Sequence, residues 1–105
     1  MAIVEHDGVR VEVNEDGFLV DSEAWNERVA LALASTEGVA VLTPRHWTLV
    51  SYIRDHYLRH GVPPMVRKLC KETKTPLKDV YVLFRSGPAK GVCKVAGLPS
   101  GDGCV

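Results

Sequence analysis

Gly87-Pro88-Ala89-Lys90-Gly91-Val92-Cys93-Lys94-Val95-Ala96-Gly97-Leu98-Pro99-Ser100-Gly101-Asp102-Gly103-Cys104-Val105 closes the chain, and its reading decides how much of the rest must make the fold. Five of the nine glycines and two of the six prolines fall in this stretch. Few large apolar groups remain to offset the entropy of ordering it. The composition predicts a flexible C-terminal arm over 87–105, leaving 1–86 as the globular part. Two of the three cysteines lie on that arm, Cys93 and the penultimate Cys104, and both are expected to reach solvent. Fully extended, the seventeen residue steps from Gly87 to Cys104 would span roughly 55–60 Å.

Upstream of the arm the pattern is that of a small α+β protein, mainly helical. Val9, Val11 and Val13 alternate with Arg10 and Glu12, and Asp7-Gly8 supplies the chemistry of a two-residue β-hairpin turn. Four helical segments follow. The first is expected after Asp21 or Ser22, with Glu23 in its first turn, a stripe of Trp25, Val29, Ala32 and Leu33, and Gly38 as the stop. The second opens at Thr43-Pro44, presents Trp47, Val50, Ile53 and Tyr57, and ends at Gly61. The third is expected from Pro63-Pro64, with Met65, Val66, Leu69 and Cys70 on one side. The fourth is expected from Thr75-Pro76, burying Leu77, Val80, Tyr81 and Phe84. Ser86-Gly87-Pro88 then breaks the helical pattern. The whole predicts an N-terminal hairpin packed on a bundle of about four to five short helices.

With 105 residues, 46% hydrophobic and 25% charged, the chain suits one soluble globular domain. No apolar run approaches the ~20 residues of a membrane span, and residues 1–8 do not have the layout of an export signal. A reducing cytoplasm is therefore expected, where thiols tend to be catalytic, redox-active or metal-binding. The net charge of zero is unevenly spread. Residues 1–42 hold two basic groups against nine acidic, and residues 43–105 hold eleven against four. Arg67, Lys68, Lys71, Lys74 and Lys78 could form the basic face of a helix-turn-helix or simply a solvated helical face. Nucleic-acid binding is not expected, because the acidic half offsets that face at long range.

Among candidate chemical groups, Cys70 falls on an inward helical stripe and is expected to be a small buried hydrophobe. The ten residues between Cys93 and Cys104 are not the spacing of a Cys-x-x-Cys motif. A flexible loop of that length closes cheaply, so the two are either a bridging pair or incidental tail thiols. His56 and His60 are four apart, a spacing able to place two imidazoles on one metal, but no third ligand is evident nearby and no metal site is expected. No phosphate-cradling glycine loop, Ser/His/Asp set or apolar pair of carboxylates is present.

Gly87-Pro88-Ala89-Lys90-Gly91, Cys93, Ala96-Gly97-Leu98-Pro99 and Gly103-Cys104-Val105 closely resemble the C-terminal signature of the DsrC-like proteins, the gamma-subunit family of dissimilatory sulfite reductase. The resemblance extends along the chain through the hairpin, Asp16-Gly17-Phe18-Leu19, Tyr57, Pro64-Met65-Val66-Arg67, Val80-Tyr81 and Leu83-Phe84. It implies a sulfur carrier that does not turn over alone and holds no cofactor of its own. The arm would enter the alpha and beta subunits of the reductase, where the sirohaem belongs to the partner. Cys104 would accept a sulfite-derived sulfur there, and Cys93 would act as the resolving thiol, closing a Cys93–S–S–S–Cys104 trisulfide. A membrane-bound reductase complex would then release the central sulfur as sulfide. Related relay proteins for tRNA thiolation keep only the penultimate cysteine, so Cys93 places this chain with the sulfite-reductase branch. Two departures stand out: Ser100-Gly101-Asp102 where the family usually has lysine, proline and threonine, and Arg85 where a proline is common.

Overall fold

The computed structural model describes residues 2–98. Strands β1 (Ala2–His6) and β2 (Val9–Val13) pair antiparallel with His6 opposite Val9, so Asp7 and Gly8 make the whole turn. Both carry positive φ, 51° and 81°. That is the condition for the turn type whose twist matches its strands. Alternation then puts Val11 and Val13 on the buried face, and a bridge from Val13 to Leu19 folds the following loop back. Asn14 organises this loop, its Oδ1 accepting from the amides of Asp16 and Phe18.

Helix α1 (Glu27–Thr36) starts later than the sequence predicts. Asp21 does cap, but it caps a separate 3-10 turn, Ser22–Ala24, through the Glu23 amide. Asn26 caps α1 itself, its Oδ1 accepting from Val29 N at 2.9 Å. Trp25 sits in the break between the two, off the helix axis. Val29, Ala32 and Leu33 pack against Val11, Val13 and Leu19, and this cluster joins hairpin to helix.

Helix α2 (Pro44–His60) follows the expected signals, with Thr43 as its cap, Pro44 at the first position and Gly61 in the left-handed conformation at its end. The Thr43 amide bonds back to His46 Nδ1 at 3.1 Å, a capping-box arrangement with histidine in the third position. Its buried residues are His46, Leu49, Val50 and Ile53, with Trp47 and Tyr57 half-buried beside them. Helix α3 (Val66–Thr73) begins two residues after Pro64. A residue that precedes proline is driven out of the helical region, so Pro63 cannot open a helix. Met65, the cap residue, is exposed rather than inward. Helix α4 (Leu77–Leu83) buries Val80, and Phe84 just beyond it is fully buried. Leu77 and Tyr81, expected inside, are 45% and 50% exposed.

The largest correction concerns the C-terminal segment. No arm is released at Gly87. A π-helical turn, Pro88–Val92, runs into a short helix α5 (Cys93–Val95) that packs against α1 and α2. Val92, Cys93, Val95, Ala96 and Leu98 are core residues, clustered with Leu49, Val50, Ile53, Leu69, Val80 and Phe84. The packed body therefore runs to Leu98, and residues 99–105 of the expected arm lie outside the described residues. The architecture is the expected α+β, mainly helical one: a two-stranded hairpin packed on five α-helices among the described residues.

Candidate functional site

Cys93 opens α5 and has no exposed surface, contrary to the solvent-facing thiol expected from composition. The small residues around it explain the error. Gly91 lies so close to Phe84 that a Cβ there would stand 2.8 Å from Phe84 Cβ. Small side chains let this segment reach the centre of the fold rather than leaving it outside. Cys70, on α3, is only half-buried at the margin of the same core. The expected ranking of the two thiols, Cys70 hidden and Cys93 open, is thus reversed. Cys104 lies outside the described residues.

The end of α5 is built with unusual completeness. An α-helix leaves its last four carbonyls without intrahelical partners. Here the Leu98 amide donates to Cys93 O at 3.1 Å and the Gly97 amide to Lys94 O at 3.1 Å. These are the two bonds of a Schellman motif, with Gly97 at φ +79° as its left-handed residue. The next two carbonyls are taken from outside. Trp25 Nε1 donates to Val95 O at 2.9 Å, and Arg54 Nη1 donates to Ala96 O at 2.9 Å. The Arg54 guanidinium also lies over the Trp25 ring, 4.3 Å from its centroid. Burial holds the pKa of Arg54 below its ordinary value.

Lys94 is committed as well. Its Nζ sits 3.3 Å from Glu37 Oε2, both side chains being nearly buried, and 5.7 Å from the Phe18 ring centroid. The other oxygen, Glu37 Oε1, is buried and finds no hydrogen-bond partner among the described residues. Lys94 therefore ties α5 to the end of α1 instead of supplying an unpaired charge beside Cys93.

Three roles in this region escaped the sequence: those of Arg54, of Glu37 and of Trp25, which the sequence placed on the stripe of the first helix. No local pattern marks them, since each acts through a partner at least 42 positions away. Readable signals for α5 did exist, in Pro88 where a helix can begin and Gly97 where one can end. Elsewhere, the His56 and His60 rings meet at a tilt of 46° with centroids 4.5 Å apart, and His56 Nδ1 is 2.8 Å from Val62 O. No group of three or more His, Cys, Asp or Glu among the described residues is arranged to hold a metal. Arg67, Lys68, Lys71, Lys74 and Lys78 are all exposed on and between α3 and α4. No helix among the described residues is long and apolar enough to cross a membrane.

The position of Leu98 also sets a reach. Cys104 is six residue steps beyond it, at most about 20 Å of extended chain. This replaces the 55–60 Å expected for an arm starting at Gly87.

Comparison with known proteins agrees along the full length. A family model described as "DsrC like protein" matches residues 5–105. The gamma subunit of the dissimilatory-type sulfite reductase of Nitratidesulfovibrio vulgaris is 44% identical over 105 residues, covering 100% of both chains. The sulfurtransferase TusE of Escherichia coli strain K12 is 37% identical over 106 residues, covering 94% of this chain and 96% of that protein. In three dimensions, the oxidized gamma-subunit of dissimilatory sulfite reductase (DsrC) from Archaeoglobus fulgidus superposes with a TM-score of 0.89 at 41% identity, covering 99% of this chain and 100% of that one. With a family match spanning 5–105 and full-length relatives well above 30% identity, this chain belongs to the DsrC-like protein family.

Proposed function

We propose that this chain is a sulfur carrier and co-substrate for a dissimilatory-type sulfite reductase in the reducing cytoplasm. The observation that carries the reading is the turn that sets Leu98 beside Cys93. The chain reverses at Gly97, the Leu98 amide bonds the Cys93 carbonyl, and only six residue steps then lead to Cys104. The second thiol is thus tethered within about 20 Å of a point beside the first. Cys104 is the sulfur acceptor and Cys93 the resolving thiol. The partner's alpha and beta subunits hold the sirohaem, and this chain supplies only thiols.

Sulfite gains two electrons at the partner's centre. The two thiols then supply two more as Cys93–S–S–S–Cys104 closes, leaving the central sulfur at oxidation state zero and the oxygens released as water. Four electrons and four protons from a membrane-bound reductase restore both thiols and release sulfide. Because Cys93 is buried, the closing step requires α5 to yield locally or Cys104 to enter the body. A short reach also means that the face around Leu98 must dock close to the partner's buried centre.

The similarity to TusE supports a second reading, a sulfur relay for tRNA thiolation that uses Cys104 alone. Intact mass after turnover with the reductase and sulfite separates the two. Cys104→Ala should carry no sulfur, and Cys93→Ala should keep a persulfide on Cys104 without closing the bridge. Sulfur on Cys104→Ala would overturn the carrier assignment. Sulfur transfer to a tRNA-modifying acceptor that is unaffected by Cys93→Ala would favour the relay. Since Cys93 is a core residue, its alanine variant should also lose roughly 1 kcal/mol of folding stability.

A further inference from the structure

Trp25 and Arg54 come from different parts of the chain, the break before α1 and the middle of α2, and meet over the end of α5. A helix of three residues has almost no stability of its own, because nucleation costs more than so few bonds return. Its geometry must be imposed by neighbours. Between them the two side chains take the Val95 and Ala96 carbonyls, the pair left over by the Schellman bonds. They also close the space around Gly97. A Cβ at that position would collide with the Trp25 indole, standing 2.8 Å from its Cγ, and would lie 3.0 Å from Arg54 Nη1. Withdrawing a guanidinium from water is unfavourable unless it is well bonded. Here it stacks on an indole and donates to a helix-terminal carbonyl.

We propose that Trp25 and Arg54 are positioning residues for thiol chemistry: by holding the last two carbonyls of α5 they fix the helix end from which the Gly97 turn brings the Leu98 amide onto the Cys93 carbonyl. The Schellman bonds at Gly97 turn Leu98 back beside Cys93, and without the clamp that turn would rest on a three-residue helix alone. With the helix end held, the tether to Cys104 begins at a fixed point beside the resolving thiol. The effective concentration of one thiol at the other depends on where a tether starts as well as on its length. The pair therefore raises the tendency of Cys93 and Cys104 to join. This inference rests on the sulfur-carrier reading, since it assumes that those two thiols meet.

The test is the full-length chain carrying Cys70→Ala, equilibrated with glutathione buffers well below its melting midpoint. The bridged fraction is read by intact mass after alkylation. Arg54→Gln should lower the effective concentration of the Cys93–Cys104 pair about tenfold, and Trp25→Phe, which keeps the ring but loses the donor, about threefold. Arg54→Lys retains a donor for the Ala96 carbonyl without the planar stacking face and should fall between Gln and the parent. Leu33→Ala, in the hairpin cluster, should lower the melting temperature while leaving the redox equilibrium of the folded chain unchanged. Trp25 and Arg54 variants that lower only the melting temperature, as Leu33→Ala does, would overturn the positioning role. So would a raised effective concentration. A parent chain that forms no Cys93–Cys104 bridge would overturn the sulfur-carrier reading, and this inference with it.

Discussion

Helix α4 and the segment 88–98 differ in composition and burial in opposite senses. Helix α4 reads Leu77-Lys78-Asp79-Val80-Tyr81-Val82-Leu83, four of whose residues are large aliphatics, yet only Val80 is fully inside. Tyr81 and Val82 are 50% and 78% exposed. Segment 88–98 has glycines, alanines and a cysteine, yet Gly91 through Cys93 and Val95 through Leu98 are all buried. Hydrophobicity alone does not determine which segment occupies the centre. The central position requires backbones to approach closely, and small residues permit that. Core packing at crystal-like density then makes each of those small residues hard to enlarge.

The sharpest way to break this comparison is to enlarge small residues of segment 88–98 and to replace an exposed aliphatic of α4. Gly97→Ala adds a Cβ against the Trp25 indole at a φ of +79°. Left-handed strain and overpacking together should cost about 3 kcal/mol. Gly91→Ala, pressed on Phe84 without the positive φ, should cost about 2 kcal/mol. Val82→Ser on α4 should stay within about 0.5 kcal/mol of the parent. Urea unfolding measures all three. A neutral Gly97→Ala would mean that the segment is the loose arm its composition suggests.

That contrast also explains what the sequence conveyed. The hairpin turn, the Thr43-Pro44 start and the Gly61 stop were legible because each depends on residues within a few positions of one another. The packed body was expected to end at Ser86 but runs at least to Leu98, because composition measures what a segment can bury on its own. It does not measure the surface that α1 and α2 offer it. The family signature directed attention to Cys93 and Cys104, but it did not convey the burial of Cys93. The clamp of Trp25 and Arg54 was invisible for the same reason, being made wholly of long-range contacts.

An effect as large as that of Gly97→Ala is expected at the ion pair that fastens α5 to α1. Lys94 and Glu37 have side chains 13% and 10% exposed. Removing one partner leaves a nearly buried charge alone, so Lys94→Ala should destabilise by about 3 kcal/mol. Lys94→Met combined with Glu37→Leu should recover most of that loss, because an apolar pair has no charge to desolvate. Thermal or urea unfolding of the single and double variants decides the matter. A double variant as unstable as the single would show that α5 is held by the charge pair itself.

Thiol accessibility gives a smaller, kinetic contrast. In the reduced chain Cys70 should react with a small alkylating reagent at least about tenfold faster than Cys93, since a fully buried thiol waits for local opening. Peptide mapping at short reaction times reads the order. Equal rates would mean that α5 opens as readily as the edge of α3, and the closing of a bridge to Cys104 would then need no conformational step.

The smallest effect concerns how α4 is fastened at its end. His46 is buried, with Nδ1 accepting from the Thr43 amide, so Nε2 carries the proton and donates to Leu83 O at 3.0 Å. Its ring meets Phe84 edge-on at 5.1 Å. Burial lowers its pKa from the usual 6.5, the bond to Leu83 opposes that shift, and the neighbouring Arg45 charge adds to it. A histidine whose folded pKa is depressed binds fewer protons in the native state than in the unfolded chain. Its stabilising contribution is therefore complete above pH 6.5 and is lost as pH falls below that value toward the folded pKa. Protonation would also put a second N–H against the Thr43 amide, removing the capping bond. Amide exchange should accordingly quicken at Leu83 and Phe84 as pH drops below 6.5, after correction for intrinsic rates, while Val95 through Leu98 stay protected. His46→Asn should flatten this part of the stability profile. Equal loosening of both segments would show that α4 and α5 open as one unit, whereas loosening at Leu83 alone would show that α5 is held independently by its own long-range contacts.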